Sequence, residues 1–127
     1  MVYKHIVMWK FKEQHNGKSA LENARWMKEQ LEALVGVVPE LLSAEVGISP
    51  ALEQAAAAPR NAAAAQSNAA AVPAPAASGE YDACLLSTFA SPEALAAYKV
   101  HPKHKAISAY CKEARLKRLA FDWWSEE

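Results

Sequence analysis

The chain is 127 residues long, the length of one domain, and 52% of its residues are hydrophobic, enough for a single core. Its fourteen basic and fourteen acidic side chains cancel, and no basic block stands out, which argues against nucleic acid and against an anionic membrane surface as partners. Cys84 and Cys111 stand far apart and outside any CxxC spacing, so reduced, inert thiols are expected rather than a disulfide framework or a zinc site.

In chain order, "VYKHIVMWKF" alternates with period two. Tyr3, His5, Val7, Trp9 and Phe11 share one parity, and Val2, Lys4, Ile6, Met8 and Lys10 the other, which predicts a strand with two largely apolar faces. The same stretch is too regular and too rich in lysine for a signal peptide, and no run approaches the roughly 18 apolar residues of a membrane span. A cytoplasmic location is expected. His15 falls in the polar stretch "KEQHNGK" and is expected to be solvated. "SALE" then forms a capping box, with Ser19 as N-cap and Glu22 at N3, ahead of a helical stripe of Leu21, Ala24, Met27, Leu31, Leu34 and Val35 that ends at Gly36.

"LLSAEVGI" predicts a second strand and "YDACLLSTF" a third. Between them, at about residues 50–80, lies an alanine- and proline-rich stretch with almost no large apolar side chain. It cannot build a core of its own. Pro59, Pro73 and Pro75 interrupt any long helix there, and it is expected to be an insertion in a surface connection of the single domain 1–127, since lengthening a loop costs only about 0.6 kcal/mol per doubling. Ser91–Pro92 and His101–Pro102 are N-cap and N1 pairs that open two successive helices, to Val100 and to about Ala114. "LKRLAFDWW" predicts a last strand with Leu119, Phe121 and Trp123 on one face.

The order strand, helix, strand, strand, two short helices, strand predicts an α+β fold: a ferredoxin-like βαββαβ protomer, its helices on one face of a four-stranded antiparallel sheet. The opposite face, with Val2, Ile6 and Met8 and either Cys84 and Leu86 or Ala83 and Leu85, is then apolar and uncovered. Such a face marks an interface, and a two-fold homodimer packed sheet to sheet is the simplest closure.

Three pieces together, "KHIVMWKFK", "STFASPEALAAYKVHPKH" and "LAFDWW", resemble the stress-responsive A/B barrel domain family, also called Dabb, of the dimeric α+β barrel superfamily. The likeness spans the chain outside the alanine-rich stretch. It implies a ferredoxin-like protomer, a homodimer whose two sheets form a barrel, and an association with stress response. A plant polyketide cyclase of this family, olivetolic acid cyclase, works with a tyrosine and histidines and no cofactor. By position its catalytic tyrosine matches Tyr98, its catalytic histidine His104, and its amino-terminal pocket histidine His5, while a further pocket histidine is replaced by Ala83.

The residues themselves support a site in the same place. Helical spacing from Ile107 and Cys111 puts His104 on the inward stripe, and His5 shares the parity of Val7 and Trp9. The two imidazoles can therefore meet across one apolar pocket, with Val7, Trp9 and Ile107 as its lining and Tyr98 at its wall. A histidine there takes and returns a proton near neutrality, and a tyrosine hydroxyl polarises an oxygen, which suits an aromatic or carbonyl ligand, enolisation, aldol chemistry or cyclisation without a cofactor. A purely structural reading stands beside it: His101 explained by capping, His104 and His5 by hydrogen bonding in the core. A metal is not expected, because His101 and His104 diverge at the helix start and no carboxylate or thiol completes a set.

Overall fold

In a computed structural model, residues 1–57 and 80–126 are described. Strand β1 (Val2–Phe11) leads into a small hairpin, β2 (Gln14–His15) and β3 (Lys18–Ser19), and then helix α1 (Ala20–Glu32). Strand β4 (Ser43–Ile48), helix α2 (Pro50–Ala57), strand β5 (Ala83–Phe89), helices α3 (Pro92–Val100) and α4 (Pro102–Ala114), and strand β6 (Arg115–Ser125) follow. The four long strands form one sheet in the order β4-β5-β1-β6, every neighbouring pair antiparallel. This is the ferredoxin-like α+β arrangement, with the hairpin and α2 as additions.

The helix starts follow the predicted chemistry. Ser19 Oγ accepts from the Glu22 N–H and Glu22 Oε1 from the Ser19 N–H, a complete capping box. Ser91 Oγ accepts from the Ala94 N–H, with Pro92 in the first turn. Ahead of α1, Asn16 and Gly17 both have positive φ, 58° and 73°, the conformation of a two-residue type I′ hairpin turn. That turn folds the "KEQHNGK" stretch back on itself and changes the expectation for His15. Its ring lies 5.4 Å from that of Tyr110 and is half-buried, not solvated.

On the helix-facing side, Val7, Trp9, Phe11, Val46, Ala83, Leu85 and Phe89 pack with Ala24, Met27 and Leu31 of α1, Leu95 and Tyr98 of α3, and Ile107, Cys111 and Ala114 of α4. Each large apolar side chain so enclosed contributes about 1.5–3 kcal/mol. The predicted stripe of α1 holds through Leu34, but Val35 does not belong to it. The helix ends at Glu32 with Ala33 as C-cap, the Leu34 carbonyl accepts from both Val37 and Val38 N–H groups, and this tight turn leaves Val35 42% exposed. Val38 and Leu41 complete the core instead.

Edge strand β4 is pinned to α1 by side chains. Lys28 Nζ donates to the Val46 carbonyl at 2.7 Å, and Glu32 Oε2 accepts from the Val46 N–H at 2.8 Å. The Lys28 ammonium and that N–H hold the Glu32 carboxyl below its usual range. The alanine-rich stretch begins inside this frame: Ala51 of α2 is 5% exposed and Leu52 packs against the core. The remainder of the predicted insertion, 58–79, with Pro59, Pro73 and Pro75, lies outside the described residues.

Register settles which residues face away from the helices. Ile6 pairs with Leu86 and Phe121, and Met8 with Cys84 and Leu119, so Cys84 and Leu86, not Ala83 and Leu85, share the open face. Phe121 there is 64% exposed and Leu119 51%; no element among the described residues covers them.

Candidate functional site

The strand parity that buries Val7 also buries His5, which is 3% exposed. In the sheet His5 lies between Ser87 of β5 and Asp122 of β6. Ser87 Oγ donates to the His5 carbonyl at 3.2 Å. The His5 ring is fixed by Asp122, whose Oδ1 is 2.5 Å from Nδ1. A carboxylate only accepts, so Nδ1 carries the proton and Nε2 is left as the basic nitrogen.

His104 is fixed in the same way by a different device. Pro102 has no N–H, and the Lys103 N–H is taken by His101 Nδ1 at 3.2 Å, the predicted N-cap. At the end of α3 the Lys99 carbonyl accepts instead from His104 Nδ1, at 3.2 Å. A carbonyl also only accepts, so His104 too keeps Nε2 as its basic nitrogen.

Between these rings lies a cavity of about 280 Å³ lined by His5 and His104 together with Val7, Trp9, Leu85 and Ile107. It is at the small end of sites for low-molecular-weight ligands, about 300–1,000 Å³. The structure thus brings both histidines and all three expected lining residues to one space. Tyr98 stands one layer back: 1% exposed, its ring 4.3 Å from that of His104 and 5.1 Å from that of Phe89. Among the described residues its hydroxyl has no hydrogen-bond partner, and burial raises its pKa. His101 is occupied by its cap.

Both imidazoles are held below the ordinary histidine value. For His5, burial is the main cause, opposed by the hydrogen bond and charge of Asp122 and reinforced by Lys99 and Arg118. For His104, burial again leads, opposed by the Lys99 carbonyl and reinforced by His5, Arg118 and Lys99. Near neutral pH the pair is uncharged and basic. A proton gained by His5 is stabilised at once by Asp122.

Asp122 is the residue that reading the sequence missed. Its signal was a lone acid in "LAFDWW" whose parity opposes that of Phe121, but the partner it meets depends on the β1–β6 register. Lys99, Lys112, Arg115 and Arg118, which also line the cavity, were missed because they come from three separate elements. Among the described residues no group of three histidine, cysteine or acidic side chains converges on a metal position, and no helix is long and apolar enough to cross a membrane.

The sequence profile of the Stress responsive A/B Barrel Domain family, Dabb, matches residues 3–59 and 59–125. No curated protein matches the chain by sequence. Among solved structures, a dimeric protein of unknown function and ferredoxin-like fold from Bacteroides fragilis is 21% identical, with a TM-score of 0.69 over 98% of this chain and 96% of that one. The hydroxynitrile lyase of Passiflora edulis is 18% identical, with a TM-score of 0.65 over 99% of this chain and 95% of the other. A Dabb family protein with a ferredoxin-like fold from Mesorhizobium loti is 15% identical, with a TM-score of 0.60 over 99% and 98%. These likenesses concern the fold, while the profile spans both described parts of the chain: the protein belongs to the stress-responsive A/B barrel domain family.

Proposed function

We propose that the protein is a homodimer in which each protomer binds a small aromatic or carbonyl compound in the cavity between β1 and α4. The observation that carries this reading is the pair of neutral imidazoles lining one cavity, each with its Nδ1 proton already committed. A core histidine needs only satisfied nitrogens; here one nitrogen on each ring is left for something else. What supports the dimer is the uncovered apolar sheet face, together with the description of the B. fragilis structure as dimeric.

A second reading, cofactor-free acid/base catalysis of cyclase, aldol or enolisation type, is favoured by the Asp122–His5 pair and by the fold shared with a hydroxynitrile lyase. In it His104 and His5 exchange the proton, and Tyr98 sets the His104 ring by packing against it.

Screening phenols and β-dicarbonyl compounds for thermal stabilisation tests the binding reading, because a ligand stabilises by mass action whether or not it reacts. At least one class should raise the melting temperature, and His104→Ala should abolish the rise. If neither class has any effect on the wild type, the reading is wrong. Incorporation of solvent deuterium into a bound β-dicarbonyl, faster than in buffer and lost in His104→Ala, distinguishes turnover from binding. Light scattering should give the mass of two chains, and Ile6→Asp, which buries an unpaired charge, should give monomer or aggregate. A monomeric wild type would remove the dimer.

A further inference from the structure

Four of the thirteen residues lining the cavity are permanent cations, namely Lys99, Lys112, Arg115 and Arg118, and none is acidic. In a chain whose charges cancel overall, this is a local concentration of one sign. Three elements converge to produce it. Lys99 comes from the last turn of α3, Lys112 from the last turn of α4, and Arg115 and Arg118 from the start of β6. Arg118 is paired in register with Trp9 and lies four residues before Asp122. Among the described residues, Lys99, Lys112, Arg115 and Arg118 take part in none of the ion pairs, which include those of Lys10, Arg25, Lys28 and Lys117. Asp122, whose charge also acts on Arg118, is already hydrogen-bonded to His5.

Resting on the small-molecule reading of the cavity, we infer that its ligand is a small organic acid, with a carboxylate held by Arg118, Lys99 and the neighbouring cations and a carbonyl or phenolic body against His5 and His104. Unpaired like charges around a partly enclosed space repel one another, and an anion placed among them reverses that repulsion. The planar guanidinium suits a carboxylate, which it can grip with two parallel hydrogen bonds. The floor is apolar, with Val7, Trp9, Leu31, Leu85 and Ile107. It fits an acid with a hydrocarbon or single-ring body better than a compact, fully hydrated phosphate, and no glycine lines the cavity to bring backbone N–H groups to a phosphate. The cations also serve the imidazoles. Lys99 and Arg118 lower both histidine pKa values, so an arriving carboxylate screens them and makes each ring a better proton acceptor when the substrate is in place.

Matched acids and esters test this. The probes are phenylpyruvate and para-hydroxybenzoate, each against its methyl ester, titrated calorimetrically into the wild type at low salt. At least one acid should bind tenfold or more tightly than its ester, about 1.4 kcal/mol. Added potassium chloride should weaken the acid and not the ester. Arg118→Gln and Lys99→Gln should each reduce affinity for the acid threefold or more while leaving the ester unchanged. Both side chains are exposed, so circular dichroism should show the wild-type fold in each variant. In the histidine NMR titration, the acid should raise the His5 and His104 pKa values and the ester should not. Equal binding of acid and ester, or a preference for the acid that survives the Arg118→Gln, Lys99→Gln double variant, overturns the inference and leaves the small-molecule reading standing. Inorganic phosphate binding as tightly as the acids overturns the carboxylate assignment. If no acid or ester binds, the cavity is not a site for such compounds, and the small-molecule reading falls with this one.

Discussion

The two faces of the sheet are almost equally apolar along β1, yet they end in opposite states. On the helix side Val7 and Phe11 are each 2% exposed; on the other side Phe121 keeps 64% of its surface and Leu119 51%. Alternation in the sequence marks both faces as apolar, but only the presence of α1, α3 and α4 decides which one becomes core. The closed face encloses His5, Ser87 and Asp122, while the open face gathers Ile6, Met8, Leu86, Leu119, Phe121 and Trp123 beside Lys4. Apolar surface left open asks for another surface, and polar groups closed inside ask for partners or a ligand.

Two phenylalanine truncations separate the faces, and the first is the largest effect expected. Phe89 is fully buried against Tyr98, so Phe89→Ala should cost about 3–5 kcal/mol, with the native fraction still dimeric. Phe121→Ala leaves the core intact and should act through association. Sedimentation should show a shift toward monomer, and the melting temperature should fall more at low protein concentration than at high. Melting temperatures independent of concentration in wild type and Phe121→Ala alike would erase the distinction between the faces.

A smaller effect is expected from pH, and it belongs to the closed face alone. His5 and His104 have folded-state pKa values below the ordinary 6.5 because burial disfavours the charged ring, with Lys99 and Arg118 adding to it and Asp122 opposing it at His5. Below pH 6.5 the unfolded chain therefore binds protons that the folded chain does not. Stability is present above this value and is lost as pH falls toward the folded-state values, at no more than about 1.4 kcal/mol per pH unit for each ring. His104→Gln should flatten part of that slope in urea titrations between pH 6.5 and 5.5. Asp122→Asn, which removes the one group that raises the His5 pKa, should move the His5 NMR titration still lower. A His5 titration that moves up in Asp122→Asn would show that the carboxylate does not act on the ring as its geometry requires.

Much of this was legible in the sequence where the signal is local. The capping box and Pro pairs, the period of β1 and the inward turn of His104 depend on residues within one or two helical turns of each other. What escaped depends on register or on tertiary convergence. Asp122 lies 117 residues from His5, and only the pairing of β6 with β1 brings them together. The turn at Asn16–Gly17 was visible as a dipeptide, yet its consequence for His15 required the position of Tyr110. In α2, Ala51 is buried because the helix starts directly after an edge strand, a placement that alanine content does not encode. The sequence placed Tyr98 at the wall beside His104, but its isolated hydroxyl is a property of three-dimensional neighbours.

That hydroxyl provides the smallest and most discriminating test within the closed face. A buried O–H without a partner has given up its bonds to water and gained none in return, so its removal should not destabilise the fold. Tyr98→Phe keeps the ring against His104 and Phe89 and should leave stability unchanged or raise it by up to about 1 kcal/mol in urea unfolding. His101→Asn, which preserves an N-cap acceptor for Lys103, should change stability by a few tenths of a kcal/mol at most. Ligand binding and turnover separate the ring of Tyr98 from its hydroxyl. If Tyr98 acts only by packing, Tyr98→Phe should bind acids and exchange deuterium as the wild type does, whereas Tyr98→Ala, which releases the His104 ring, should lose both. Loss of turnover in Tyr98→Phe with stability retained would instead give the hydroxyl a direct role, and would mean that the ligand-bound site brings forward a group that the unliganded fold keeps one layer behind the cavity wall.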